Sequence, residues 1–403
     1  MSPLDRSRPP VPGRAADFSF PGFLHTRLDS GMEVYVLRRT GTPLVGMRMV
    51  LPAGAQHDPA ARPGLAAFTA ALMAEGTRAR SSQEVADRIE GLGGSLGSTA
   101  SWNSATVSVA ALSSHLETAF SLLAEVVTSP GFLPQELERK RRERLAEWLR
   151  RRDQPAALAE ECFAAGVYAG TPYDHPLLGT RASLEAIDGG EIGTFWADHA
   201  GARGTRLLVA GDVDADAVLS LAEAMPALPA SSSPPPPPID PPAPRRQVRI
   251  VDRPAAAQTE LRVGHVGPPR RHPDRVVLRV ANSLLGGKFT SRINLNLRER
   301  HGYTYGAHSS FVDRQGPGPF LVWTAVANDV AGAAAREILN EMARLQDEDA
   351  STSELEETRD YLRGVFPYGL QTNGGLLGRL QELAVYALPD DHFDRQLEGI
   401  AEV

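Results

Sequence analysis

The chain has 403 residues, 42% apolar and 23% charged, which suits a globular protein with two or three packed cores and excludes a disordered or membrane-embedded one. A formal net charge of −7 excludes the basic footprint of a nucleic-acid binder. The single cysteine, Cys162, excludes an internal disulfide framework; it lies in an apolar run and reads as a small buried hydrophobe rather than a nucleophile.

Residues 1–19 lack the apolar core of a secretory signal and read as a disordered lead-in, which points to a cytoplasmic protein without a membrane span. Strand-like runs follow at Glu33–Leu37 and Val45–Leu51, then a helical pattern from about Gly64 to Met73. Ser81–Leu112 reads as a short helix, a glycine stop and two strands. Amphipathic His115–Thr128 and charged Pro134–Arg152 are helices, and Thr205–Met225 is a strand, a turn and a helix. The run SSSPPPPPIDPPAPRRQ, Ser231–Gln247, is an extended proline-rich spacer.

Beyond it the order repeats. Gln247–Val251 and Glu260–Val266 are expected strands, Pro273–Leu285 a helix, and Thr290–Val326 mirrors Ser81–Leu112. Val330–Leu345 and Ser353–Phe366 then mirror the two later helices. A repeat this long is a duplicated domain rather than a solenoid. The expectation is an α+β protein of two homologous sandwich domains, each a mostly antiparallel sheet with helices on it. Their bounds are 20–230 and 247–403, with a linker at 231–246. The second copy reads as truncated, because Thr205–Met225 has no counterpart before Val403; a fragment is expected, since a missing strand leaves an open sheet edge.

The chemistry-bearing stretch is GGKFTSRINLNLRERHGYTYG, Gly286–Gly306. Arg298 falls near a helix end, Gly302 supplies a left-handed stop, and Tyr303 and Tyr305 begin an alternating, strand-like run. A guanidinium and a phenol that converge can both donate to a peptide carbonyl. On residue type alone, a solvated arginine beside sheet-packing tyrosines is the readier account of the pattern. GLGGSLG, Gly91–Gly97, follows a helix and precedes a strand, the reverse of a dinucleotide fingerprint. LLGGKFT lacks the Ser/Thr directly after lysine that a phosphate loop needs. The ten histidines are scattered, with no two at helical spacing on a predicted helix, so none suggests a metal site.

The duplicated halves, the segment RPGLAAFTAALMAEGT (Arg62–Thr77) and the Gly286–Gly306 stretch together resemble the pitrilysin/insulinase zinc peptidases, including the mitochondrial processing peptidase subunits. The resemblance runs from about Phe20 to Val403. It implies His-x-x-Glu-His on the first helix, where the histidines ligate zinc and the glutamate activates water. Those positions hold Ala67, Ala70 and Ala71. The implied third ligand falls at or beside Glu147, and a further acidic position near Lys140; Glu75 has no histidine at helical spacing and cannot substitute. The resemblance therefore implies a non-catalytic chain that binds no cofactor itself. It would pair with a homologous zinc-bearing subunit and present Arg298 and Tyr305, with Tyr303 as a second candidate, to unstructured peptides. The alternative is a stand-alone peptide-binding or scaffold protein without peptidase activity.

Overall fold

A computed structural model describes residues 17–230, 235 and 238–403. The lead-in expected at 1–19 lies outside the described residues up to position 16, as do positions 231–234, 236 and 237 of the spacer expected at 231–246. From Asp17 onward the chain is packed: Asp17 pairs with Arg363, and the Phe18 ring meets Phe366 edge-on.

The first half is built on a six-stranded sheet of β1 (Leu24–Arg27), β2 (Glu33–Arg38), β3 (Leu44–Leu51), β4 (Ser95–Ala100), β5 (Ala105–Leu112) and β6 (Arg206–Gly211). The order across the sheet is β1-β2-β6-β3-β5-β4. Only β2 and β6 run parallel, with Val36 opposite Val209; the other pairs are antiparallel. Alternating side chains feed two cores. Val34, Val36, Met47, Met49, Leu207 and Val209 face a core shared with α1 (Leu65–Met73) and α3 (Leu116–Thr128). Tyr35, Leu37, Val50, Leu208 and Ala210 face the helix Asn373–Tyr386 from the far end of the chain. Coverage on both faces explains why the central strands read as continuous apolar runs.

Helix α2 (Ser82–Gly91) opens with a capping box, Ser81 and Glu84 bonding each other's backbone N–H groups. After α3 come the charged α4 (Pro134–Arg152) and α5 (Pro155–Val167), both with proline in the first turn. The second half holds a three-stranded sheet, ordered β7 (Gln258–Val266), β9 (Pro319–Ala327), β8 (Ala307–Phe311). Its core joins Phe320, Val322 and Val326 to Ala334 and Ile338 of the helix Ala331–Asp347.

The expected strand at Gln247–Val251 does not form; the segment is extended but unpaired, with Val248 and Ile250 87% and 86% exposed. Its counterpart β2 is held between β1 and β6. No counterpart of β6 is present among the described residues, so β7 ends its sheet and Gln247–Val251 has nothing to pair with.

Candidate functional site

Helix α1 is buried almost all round. Alanine is the best helix former, and an all-apolar surface suits a helix in the middle of a core. The helix starts at Gly64, whose φ of +90° and 2.6 Å distance from a would-be Cβ to the Leu178 carbonyl leave room for no other residue. Asp58 caps the helix from outside, accepting from the Gly64 and Ala66 N–H groups at 2.7 Å each. Burial pushes the Asp58 carboxyl up to about 7, against the pull of those two donors.

Ala67 and Ala70 are buried at 6% and 1% exposure and Ala71 is half-buried, so no metal-binding atom projects from α1 at these three positions. Glu147, on α4, shares with Ala67 a cavity of about 350 Å³. Between them lies Arg144. Its Nη2 donates to the Ala67 carbonyl at 3.1 Å, and its Nη1 donates to Glu147 Oε2 at 3.3 Å. A guanidinium thus neutralises the carboxylate on the side of Ala67. These residues do not fit a zinc ion: the donor set is one carboxylate, already paired with a cation. Among the described residues no group of three or more His, Cys, Asp or Glu could hold a metal. Lys140 is turned to Glu75, 2.5 Å away, and Glu75 also pairs with Arg139. Cys162 is half-buried on α5 rather than fully buried.

The Arg/Tyr segment departs from its expected geometry. Arg292–Asn294 continues into a π-type turn, Leu295–Arg300, which carries Arg298. Wider π turns often mark functional positions. Gly302 stops the helix at φ +66°, and the Tyr303 N–H returns to the Leu297 carbonyl at 2.8 Å. Both tyrosines precede β8 instead of lying on it, because the chain bends at Tyr305 before pairing begins at Ala307. Tyr303 stacks on His301 at 4.9 Å and packs on the core of the second half's sheet. Tyr305 is 93% exposed. Arg298 lies over the exposed Phe289 ring, 4.5 Å from its centroid, with Glu299 at 3.3 Å. No contact between Arg298 and Tyr305 is present among the described residues; what they share is a surface segment, outward-facing. Phe289 was not singled out from sequence, although it lies within the same motif. Stacking leaves the guanidinium edge free to donate while fixing its plane.

Two histidines elsewhere stay neutral. Burial and the neighbouring His199 ring bring His57 down to about 4. Burial, then the charge of Arg270, brings His392 down to about 4, and Arg270 Nη2 donates to its Nε2 at 2.8 Å. The unfolded chain takes up these protons near pH 6.5 and the folded chain only near 4, so stability falls as pH drops through that window. A His57→Gln/His392→Gln variant should lose less stability than wild type between pH 7 and 4, by about 1–2 kcal/mol per site after solvent screening. Urea melts at both pH values measure it. Asp58 acts in the opposite sense but is common to both proteins and cancels. Equal losses would show that the histidines are not held neutral.

Comparisons with known proteins give the family. Residues 34–181 match the family model described as Insulinase (Peptidase family M16), and residues 187–362 match Peptidase M16 inactive domain. The chain belongs to the insulinase (M16) peptidase family. It is 23% identical to an uncharacterized zinc protease of Rickettsia bellii, over 84% of this chain and 81% of that protein. With an uncharacterized zinc protease of Mycobacterium leprae it shares 24% identity over 89% of this chain and 81% of the relative. The fold matches the crystal structure of a peptidase M16 inactive domain from Pseudomonas fluorescens with a TM-score of 0.83 and 24% identity, covering 95% of this chain and 92% of that one. It also matches a protease from Helicobacter pylori with a TM-score of 0.87 and 18% identity, covering 95% and 94%. This M16 member lacks the family's zinc motif, and no helix among its described residues is long and apolar enough to cross a membrane.

Proposed function

We propose that this chain is the non-catalytic, substrate-binding subunit of a heterodimeric zinc metallopeptidase. A homologous partner chain supplies zinc and general base; Arg298 and Tyr305 bind the backbone or the oxyanion of an unstructured peptide. The observation that carries the reading is the contrast between the two sites. At the metal position three alanines and the Arg144–Glu147 pair leave no ligand set for a cation. At the motif that would meet substrate, a stacked guanidinium and an almost fully exposed phenol face outward. Such donors suit a carbonyl oxygen whose charge grows as water attacks. A cytoplasmic complex is the setting assigned to it.

Co-purification with a zinc-bearing homologue tests the pairing. Recovery as a single species that neither binds such a homologue nor alters its turnover would favour the scaffold alternative.

Glu147 is proposed as the surviving ligand of a lost metal site, and Arg144 as what now closes it. An Ala67→His/Ala70→Glu/Ala71→His variant should therefore remain metal-free after dialysis. Adding Arg144→Ala should give about one zinc per chain, since three protein ligands suffice for a catalytic site. Zinc uptake with Arg144 intact would remove its assigned role. No uptake by the quadruple variant, with its fold checked by circular dichroism, would remove Glu147 from the set.

A further inference from the structure

The cavity beside Ala67 contains a cation that the reading above does not use. Arg314 reaches it from the second half, on the turn after β8. It is 6% exposed. Its guanidinium carbon lies 4.3, 4.5 and 4.9 Å from the ring centroids of Tyr173, Trp102 and Tyr168. The turn that carries it is pinned to the first half. Gln315 N–H donates to Asn103 Oδ1 at 3.1 Å, and Tyr168 Oη–H donates to the Pro317 carbonyl at 3.0 Å. The arginine is held in position by its surroundings, yet Nε and Nη1 have no hydrogen-bond acceptor. Aromatic faces offset part of the cost of burying a cation but accept none of its in-plane N–H bonds. Buried donors left without acceptors are disfavoured, and Arg314 combines two of them with a place on the cavity wall.

The cavity's own carboxylates are mostly engaged. Glu147 pairs with Arg144 at 3.3 Å, and Glu161 faces Arg151 and Arg152 at 3.8 and 3.9 Å. Glu160 lines the wall without an ion pair among the described residues. Thr99 and Ala100, the last residues of the sheet's edge strand β4, form another wall. The edge strand β4 thus ends at the cavity wall.

We propose that this cavity is a carboxylate-binding pocket in which Arg314 receives the terminal carboxylate of a peptide or of a small organic acid. A carboxylate can pair in the guanidinium plane with one edge, Nε with Nη2 or Nη1 with Nη2, while the aromatic faces stay in place. The pocket is independent of the Arg298/Tyr305 reading and makes the former metal site one of recognition.

Isothermal titration of the purified full chain tests it. The probes are an unstructured hexapeptide with a free C-terminus, the same peptide amidated, and sodium succinate. The free-acid peptide should bind about tenfold or more tightly than the amide, as expected for a charge-assisted pair to a buried arginine. Succinate that binds and displaces it extends the site to small acids; succinate that binds while neither peptide does assigns the pocket to small acids alone. Arg314→Met should abolish the discrimination, whereas Glu160→Gln, which removes a repelling charge, should tighten free-acid binding. An Arg298→Ala/Tyr305→Phe variant should leave the ratio of acid to amide binding unchanged, which separates the pocket from the proposed substrate pair. Equal binding of acid and amide, or no binding of any probe at millimolar concentration, overturns the proposal. Should Arg314→Met fail to fold, the Glu160→Gln comparison decides: unchanged or weaker free-acid binding overturns the proposal.

Discussion

Arg298→Ala or Tyr305→Phe, assembled with a zinc-bearing homologue, should each lower turnover by roughly 2–4 kcal/mol, the scale found for single oxyanion donors. The expectation follows from exposure. Tyr305 contacts little of its own chain, so Tyr305→Phe removes a donor without disturbing a core. Arg298 contributes through Phe289 and Glu299, neither part of a buried cluster. If both donors act mainly in the transition state, kcat should fall while KM changes little. Arg298→Lys should restore only part of the loss, because a point charge cannot reproduce the planar fork. Phe289→Ala should have a smaller effect than Arg298→Ala, since it frees the guanidinium's orientation and leaves its charge. Assembly is checked by size in each case. A KM effect alone would assign the pair to ground-state binding.

The second large effect concerns stability. Glu382 lies beneath the turn that carries Arg314, in a cluster with four arginines and one other carboxylate. It accepts from Arg270 Nε at 3.0 Å and Nη2 at 2.5 Å and pairs with Arg379 at 2.8 Å. Arg270, 3% exposed, also meets Asp313 at 3.3 Å, and Asp313 pairs in turn with Arg275. Arg279, near the same group, bonds Gln396 at 3.2 Å. Burial alone would push the Glu382 carboxyl up, but Arg270 and Arg379 hold it below the usual carboxylate range. Glu382→Ala strands at least one buried guanidinium and should cost about 3–5 kcal/mol, as for other broken buried pairs. Equilibrium unfolding in urea measures this. A loss near that of a surface pair, below ~1 kcal/mol, would mean that water reaches the cluster. The same depressed carboxyl contributes stability above its unfolded value near pH 4.5, lost as acid protonates it below that.

Much of the fold was legible where one local pattern decided it. The apolar runs at Glu33–Leu37 and Val45–Leu51 became β2 and β3, and the alanine-rich run after Gly64 became α1. What escaped depends on partners distant in sequence. Gln247–Val251 has strand composition but no neighbour to complete its ladder. Asn373–Tyr386 packs across the first half's sheet, which no periodicity within the second half can indicate. Tyr303 and Tyr305 alternate like a strand, yet two residues cannot fix a period, and the turn after Gly302 outlasts them.

The site divides the same way. The absence of zinc ligands at Ala67, Ala70 and Ala71 was readable once the family pattern was laid over them. Arg144 as the group facing Glu147 was not, because a basic residue on a charged helix ordinarily reads as solvated. Nor was Arg314: its ring partners lie more than 140 positions away in sequence, and only the tertiary fold brings Trp102, Tyr168 and Tyr173 around it.

The central claim is a division of labour between two chains, and peptide cleavage measured for each chain alone and for the two mixed tests it most directly. The account predicts that this chain alone carries no stoichiometric zinc and cleaves nothing. Adding it to a zinc-bearing homologue should raise turnover to a plateau at equal stoichiometry, and an Arg298→Ala/Tyr305→Phe chain should assemble without that rise. Zinc-dependent cleavage by this chain alone, or full turnover with the double variant in an intact complex, would contradict it.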